Sequence, residues 1–362
     1  MKYIDEFRDP TLARKLLDGI AARSTQAINL MEFCGGHTHA IFKFGIRQLL
    51  PPTVKLLSGP GCPVCVTANA DLDRAMAVAR RPGVITATFG DMLKVPGSRS
   101  SLQEARAEGA DVRIVYSTLD AVQIAQQNPD RDVVFLGVGF ETTAPTVAAA
   151  VLQAEALGLR NFFLLSMHKL TPPATRAILR AGEVRLSGII GPGHVTTIIG
   201  SDAWQFLPCD HGIPVAVAGF EPLDILRGVG ALVEQIESGQ PAVTNAYSRS
   251  VRPEGNRTAL EVMYRVFEVA DAEWRGLGTV PDSGLALRQE FAPFDAAAAF
   301  PVDPGPVREH RGCRCGEVLR GVVTPPECPL FRRACTPQNP IGPCMVSAEG
   351  ACAAYFMYGE EV

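Results

Sequence analysis

DVVFLGVGFETTAPTVA (Asp132–Ala148) reads as three pieces in order. A short apolar run comes first, a glycine-rich turn second, and a stretch able to continue as a helix third. Seven further runs between Gln26 and Gly219 have the same character: INLMEF (28–33), VKLLS (54–58), GVITATF (83–89), VRIVYS (112–117), NFFLLS (161–166), LSGII (186–190) and VAVAGF (215–220). Short buried runs alternating with helices are the signature of βαβ units and parallel sheets. The intervening helices carry their own signals. In NADLDRAMAVAR (69–80), Leu72, Ala75, Met76 and Ala79 fall on one face. Thr171 before Pro172 predicts an N-cap with proline in the first turn.

The expected class is α/β, with two similar parallel-sheet domains facing a cleft and a C-terminal, mainly helical or irregular region. Two sheets of four, divided near Pro129, give domains 1–128, 129–245 and 246–362. A single eight-stranded sheet competes with this reading, and an interleaved division is compatible with the same runs. After residue 245 the texture changes. Thr258-Ala-Leu-Glu261 predicts a capping box and a helix to about Trp274. A Pro/Ala/Phe-rich stretch follows from Val280 to Pro306.

Bulk properties narrow the function. The chain has 362 residues, enough for two or three domains, with 47% hydrophobic and 20% charged residues. A net charge of -4 gives no global basic field for nucleic acid. The polar start MKYIDEFRDP argues against a secretory signal, and no run of about 18 uninterrupted apolar residues suggests a membrane span. A cytoplasmic chain is expected. Its ten cysteines then read as reduced thiols, metal ligands or redox groups rather than a disulfide framework.

Six of the ten lie in CRCGEVLRGVVTPPECPLFRRACTPQNPIGPCMVSAEGAC (313–352). One four-cysteine set is Cys313, Cys328, Cys335 and Cys352, spaced C-x14-C-x6-C-x16-C. Four thiolates suit a [4Fe–4S] cluster, whereas structural zinc usually takes two close cysteine pairs, and the tail has none at that spacing. A tail rich in proline and poor in apolar runs also needs a staple, which a metal group provides. Spacing alone does not select four of the six.

The other motifs are turns. Cys34 opens Gly35-Gly36-His37-Thr38-His39 after a strand run, where a following helix N-terminus favours a thiolate. His37 and His39 are candidates for hydrogen bonding a metal-bound group or shuttling a proton, or for capping the turn. Cys62-Pro-Val-Cys65 is a C-x-x-C between Gly59-Pro60-Gly61 and a helix, and reads as a redox pair with lowered thiol pKa. The Gly137–Thr143 turn could hold an anion but lacks the Lys-Ser/Thr of a P-loop. His194 in Gly191–Thr197 and His168 beside Lys169 are either cleft-facing or turn histidines. Cys209 reads as a core or loop cysteine, and Glu360 and Glu361 as solvated.

Five of these motifs in order, CGGHTHAI (34–41), GPGCPVCVT (59–67), GFETTAPTVA (139–148), PGHVTTIIG (192–200) and the cysteine tail, resemble the HypD family of hydrogenase maturation factors. The resemblance covers nearly the whole chain. It implies a role in building the Fe(CN)2CO unit of [NiFe]-hydrogenase, with a small chaperone, HypC, as partner, HypE as cyanide donor and the hydrogenase large subunit as destination. By the family pattern Cys34 would hold the nascent iron, Cys62 and Cys65 would be the redox pair, and Cys313, Cys328, Cys335 and Cys352 would hold the [4Fe–4S] cluster. Cys315 and Cys344 would lie near the cluster without binding it. Electrons would pass from cluster to Cys62 and Cys65 to the iron. The alternative is an iron–sulfur dithiol oxidoreductase acting on a protein disulfide.

Overall fold

A computed structural model describes residues 4–303 and 305–359. Glu360 and Glu361 lie outside the described residues. The fold is α/β, built on two parallel sheets. All eight apolar runs form strands: β1 (Ile28–Glu32), β2 (Val54–Ser58), β3 (Val84–Thr88), β4 (Asp111–Ile114), β5 (Asp132–Gly137), β6 (Phe162–Ser166), β7 (Gly188–Pro192) and β8 (Val215–Ala218). Three more strands follow, β9 (Val243–Asn245), β10 (Phe267–Trp274) and β11 (Gly278–Leu287).

The strands are not shared out along the chain as two sequential sets of four. One sheet has the order β2-β1-β7-β8-β9 and the other β4-β3-β5-β6, so the second sheet straddles Pro129. The chain leaves the first sheet after β2, builds the whole second sheet and returns at β7. What closes the first sheet is the pairing of β7 with β1, through Leu30↔Gly188, Met31↔Ile189 and Glu32↔Ile190. Gly188 makes room there, since a Cβ on it would lie 3.0 Å from Leu30 Cδ2.

Both sheets are covered on both faces, as parallel sheets must be. In the first sheet Leu30, Ile190 and Ala216 pack with Ile225 and Val229 of helix Pro222–Ser238. Met31, Ile189 and Val217 point the other way, into a core shared with Cys62, Cys65, Trp274, Cys315 and Cys344. In the second sheet Val133 and Phe135 pack with Val147 and Val151 of helix Ala144–Ala156, while Val134 and Leu136 face Leu72 and Met76. The predicted face Leu72, Ala75, Met76 and Ala79 is buried throughout.

Three local expectations are corrected. The helix expected from Thr258 to Trp274 runs from Arg257 to Val266, capped by Asn256, whose Oδ1 accepts from the Ala259 N–H at 3.1 Å. Beyond Val266 no apolar stripe continues at helical spacing. Phe267 and Trp274, both buried, instead anchor an antiparallel hairpin of β10 and β11. That hairpin also takes the start of the stretch expected to be irregular. Thr171 is the first residue of helix Thr171–Ala181, not its cap. Its N–H and hydroxyl both donate to Glu141 Oε1, at 2.8 and 3.2 Å.

Candidate functional site

The C-terminal ends of adjacent strands in the first sheet carry most of the motifs, which is where open α/β sheets place ligand sites. β2 leads into the C-x-x-C loop, β1 into Cys34, β7 into His194 and β8 into Phe220. Because β1 and β2 pair in register up to Glu32↔Ser58, the two thiol loops leave the sheet side by side. Gly59 N–H donates to Glu32 O at 2.9 Å, and Gly35 N–H to Gly61 O at 2.8 Å. Cys34 is the N-cap of helix Gly35–Lys43, and Cys62 that of the short helix Pro63–Val66.

Cys34 is 8% exposed. The helix terminus does not decide its charge. Burial, with the nearby Glu349 and Glu32 carboxyls adding to it, pushes its thiol up to about 12. Cys65 behaves likewise, since burial raises it well above the ordinary thiol value. At Cys34 and Cys65, desolvation of a thiolate works against the lowering expected from a helix N-terminus.

Glu32 was hidden inside an apolar run, yet it organises this turn. Its Oε2 accepts from the Cys34 N–H at 3.0 Å, and its Oε1 accepts from the Thr38 hydroxyl. Burial raises its pKa to about 8. Only its position two residues before Cys34, a charged group amid apolar ones, signalled it.

The histidines separate by partner. His37 is fully buried and held neutral, its pKa lowered by burial to about 4. Its Nε2 lies 3.1 Å from Ala218 O and 3.0 Å from Gly219 O, so Nε2 carries the proton and donates. Nδ1 is then an acceptor, buried and without a hydrogen-bond partner among the described residues. His37 stacks on Phe220 at 4.7 Å, and His194 stacks on Phe220 at 3.9 Å. His194 remains exposed overall, but burial of its stacked face lowers its pKa. His39 faces the C-terminal helix, edge-on to Tyr358 at 5.3 Å. His168 is not part of this site. It is buried against Phe267, with Nδ1 3.1 Å from Ser166 Oγ, while Lys169 pairs with Asp71 at 3.0 Å. Cys209 is exposed on the short helix Phe206–His211, neither core nor loop.

The tail closes over the thiol loops. Helix Ala351–Tyr358, which carries Cys352, packs on helix Gly35–Lys43, with Tyr355 against Phe42 at 4.3 Å. All six tail cysteines line one small cavity, walled by Val318, Leu330, Phe331 and Met345. Cys315 and Cys344 form a close pair, their sulfurs 2.6 Å apart, and Cys315 is also within interaction reach of Cys313. Cys344 is also within interaction reach of Cys65 and Cys352. Cys65 Sγ lies 3.9 Å from Pro343 O. The six thiols around the cavity, with Cys313, Cys328, Cys335 and Cys352 among them, have the donor chemistry and apolar surroundings of an iron–sulfur cluster. Among the described residues no three His, Cys, Asp or Glu side chains converge on a point as ligands of one ion.

The sequence matches the HypD family model, described as "Hydrogenase formation hypA family", over residues 11–359. The chain belongs to the HypD family. It is 51% identical over 370 residues to the hydrogenase maturation factor HypD of Azotobacter vinelandii, covering 100% of this chain and 98% of that one. The HypD proteins of Cupriavidus necator and Escherichia coli are 47% and 45% identical, each aligned over 99% or more of this chain and 97% or more of their own. Hydrogenase maturation is thus the process this HypD-family chain serves. Among the described residues no helix is long and apolar enough to cross a membrane.

Proposed function

We propose that this chain is the scaffold on which the Fe(CN)2CO unit of a [NiFe]-hydrogenase is assembled, with the small HypC chaperone and HypE as partners and the hydrogenase large subunit as recipient. The observation that carries this reading is the meeting of three cysteine groups: Cys34 beside the C-x-x-C loop through Gly35 and Gly61, and Cys65 beside Cys344 and Pro343 of the tail.

In this reading the iron is substrate, and Cys34 is its anchor, since iron bearing strong-field cyanide and CO takes a soft thiolate. A bound cation offsets the desolvation that otherwise keeps Cys34 protonated. The His37 Nδ1 acceptor, fixed by Ala218 and Gly219, takes a hydrogen bond or a proton at the same end of the sheet. Phe220, stacked by His37 and by His194, gives that side an apolar wall.

Cys62 and Cys65 supply reducing equivalents, and their oxidation to a disulfide releases two electrons and two protons. When bound at Cys313, Cys328, Cys335 and Cys352, a [4Fe–4S] cluster supplies electrons singly. Cys344 and Cys315 bridge the two sets of thiols, with Cys344 in reach of both Cys65 and Cys352.

The alternative, a dithiol reductase of protein disulfides, requires a thiol that a protein substrate can reach. Cys62 is 3% exposed and Cys65 is fully buried, which favours an internal acceptor. The test is the infrared spectrum of the complex purified without oxygen with its small partner. Wild type should show cyanide and CO stretching bands, and Cys34→Ala should lack them; bands that persist in the variant exclude Cys34 as the anchor.

A further inference from the structure

Arg275 occupies the tip of the β10–β11 hairpin and is 7% exposed. Its backbone N–H donates to Val66 O at 2.9 Å, which ties the tip to the end of the C-x-x-C helix. The hairpin tip also presses on the cluster-side helix Cys315–Leu319, where a Cβ on Gly276 would lie 2.6 Å from Gly316 Cα. One residue is thereby held between the dithiol and the tail.

A buried guanidinium must be compensated, because an unpaired charge at low dielectric costs several kcal/mol. The described residues compensate this one poorly. Nη2 donates to the neutral Asn69 amide oxygen, and Nη1 reaches Glu309 only at 3.4 Å. Glu309 is 58% exposed, so its charge is largely screened. Nε has no hydrogen-bond partner among the described residues. Two further basic side chains, Arg308 and His310, line the same cavity of about 350 Å3.

Cys313, Cys315 and Gly342 form one wall of that cavity and also line the cavity of the tail cysteines. Arg275 therefore lies behind the thiol wall, lining one cavity with Cys313 and Cys315. A cluster held by four thiolates carries net negative charge, and more of it after taking up an electron. Such a group is the missing counter-charge.

We propose that Arg275 is the counter-ion of the tail cluster and raises its reduction potential by favouring the reduced, more negative state, an inference that rests on the cluster assignment above. Net charge near a cluster is one of the levers that set its potential. The hydrogen bond to Val66 places that lever at the junction with the dithiol, where the potential decides which way electrons run.

The test is an EPR-monitored redox titration of the full chain, purified without oxygen, for wild type, Arg275→Gln and Arg275→Lys. Gln keeps an N–H donor toward Asn69 and removes the charge; Lys keeps the charge. The expected result is a lower midpoint potential in Arg275→Gln and one close to wild type in Arg275→Lys. An unchanged potential in Arg275→Gln, or an equal drop in both variants, overturns the proposal. If Arg275→Gln holds no cluster, Asn69→Asp decides instead: a buried carboxylate against Nη2 supplies the counter-charge within the chain and should lower the potential, and no drop overturns the proposal. Wild-type protein without a cluster signal contradicts the cluster assignment itself, which separates that failure from this one.

Discussion

Gly61 lies directly against the backbone of Cys34: a Cβ on Gly61 would sit 2.3 Å from the Cys34 nitrogen and 2.5 Å from its Cα. The contact is backbone on backbone, so no side chain can rotate away to relieve it. It couples the Cys34 turn tightly to the C-x-x-C loop.

Gly61→Ala should therefore separate the two loops. The overpacking is of a kind that costs about 1–3 kcal/mol. Because neither Gly61 nor Cys34 lines the tail cavity, cluster absorbance should survive while hydrogenase maturation in a complemented deletion strain is lost. Wild-type levels of maturation would show that the spacing of the loops is irrelevant.

Cys62→Ala and Cys65→Ala should each bring maturation to background. Neither residue lines the tail cavity, so cluster iron content should stay at the wild-type level. Full hydrogenase activity in both strains would remove the redox role from this pair.

Gly276→Ala acts on the other side. Gly276 has φ +79°, a conformation costly for alanine, and its Cβ would strike Gly316. The hairpin tip should lift from helix Cys315–Leu319, and the cluster should bleach faster in a chelator chase than in wild type. An unchanged bleaching rate would mean that the tip does not brace the cluster cavity.

Glu141 gives a pH-dependent prediction. It is buried, and desolvation raises its pKa to about 7 from a usual 4.5. The folded state then holds a proton that the unfolded state has lost, so this group's contribution to stability is complete below about 4.5 and is lost as pH rises through about 7. Glu141→Gln keeps an oxygen for the Thr171 donors and never ionises. Relative to wild type, its melting temperature should rise between those pH values, with a gain on the order of 3 kcal/mol. Parallel pH profiles for the two proteins would refute the assignment.

The strands were legible because buried parallel strands are written as short apolar runs, and β1 to β8 each coincide with one. Their partners were not, since the runs of β2 and β6 carry no mark of which sheet they join. β10 escaped because Phe267-Glu-Val-Ala-Asp-Ala-Glu-Trp274 has buried ends and an exposed or half-buried middle, and it directly follows a true helix. The cysteine motifs marked the loops and the tail in which the thiols gather. What they could not announce was the environment: that Cys34 and Cys65 are desolvated, that Phe220 is stacked by two histidines, or that Arg275 comes from a hairpin to stand behind Cys313. Those depend on contacts between residues far apart in the chain.

The most direct test of the account is a Mössbauer spectrum of protein grown on isotopically labelled iron and purified without oxygen with its small partner. The account predicts two signals, a [4Fe–4S] cluster and a separate low-spin iron, with only the second lost in Cys34→Ala. Cluster iron replaced by bound zinc, or low-spin iron that persists without Cys34, would contradict it.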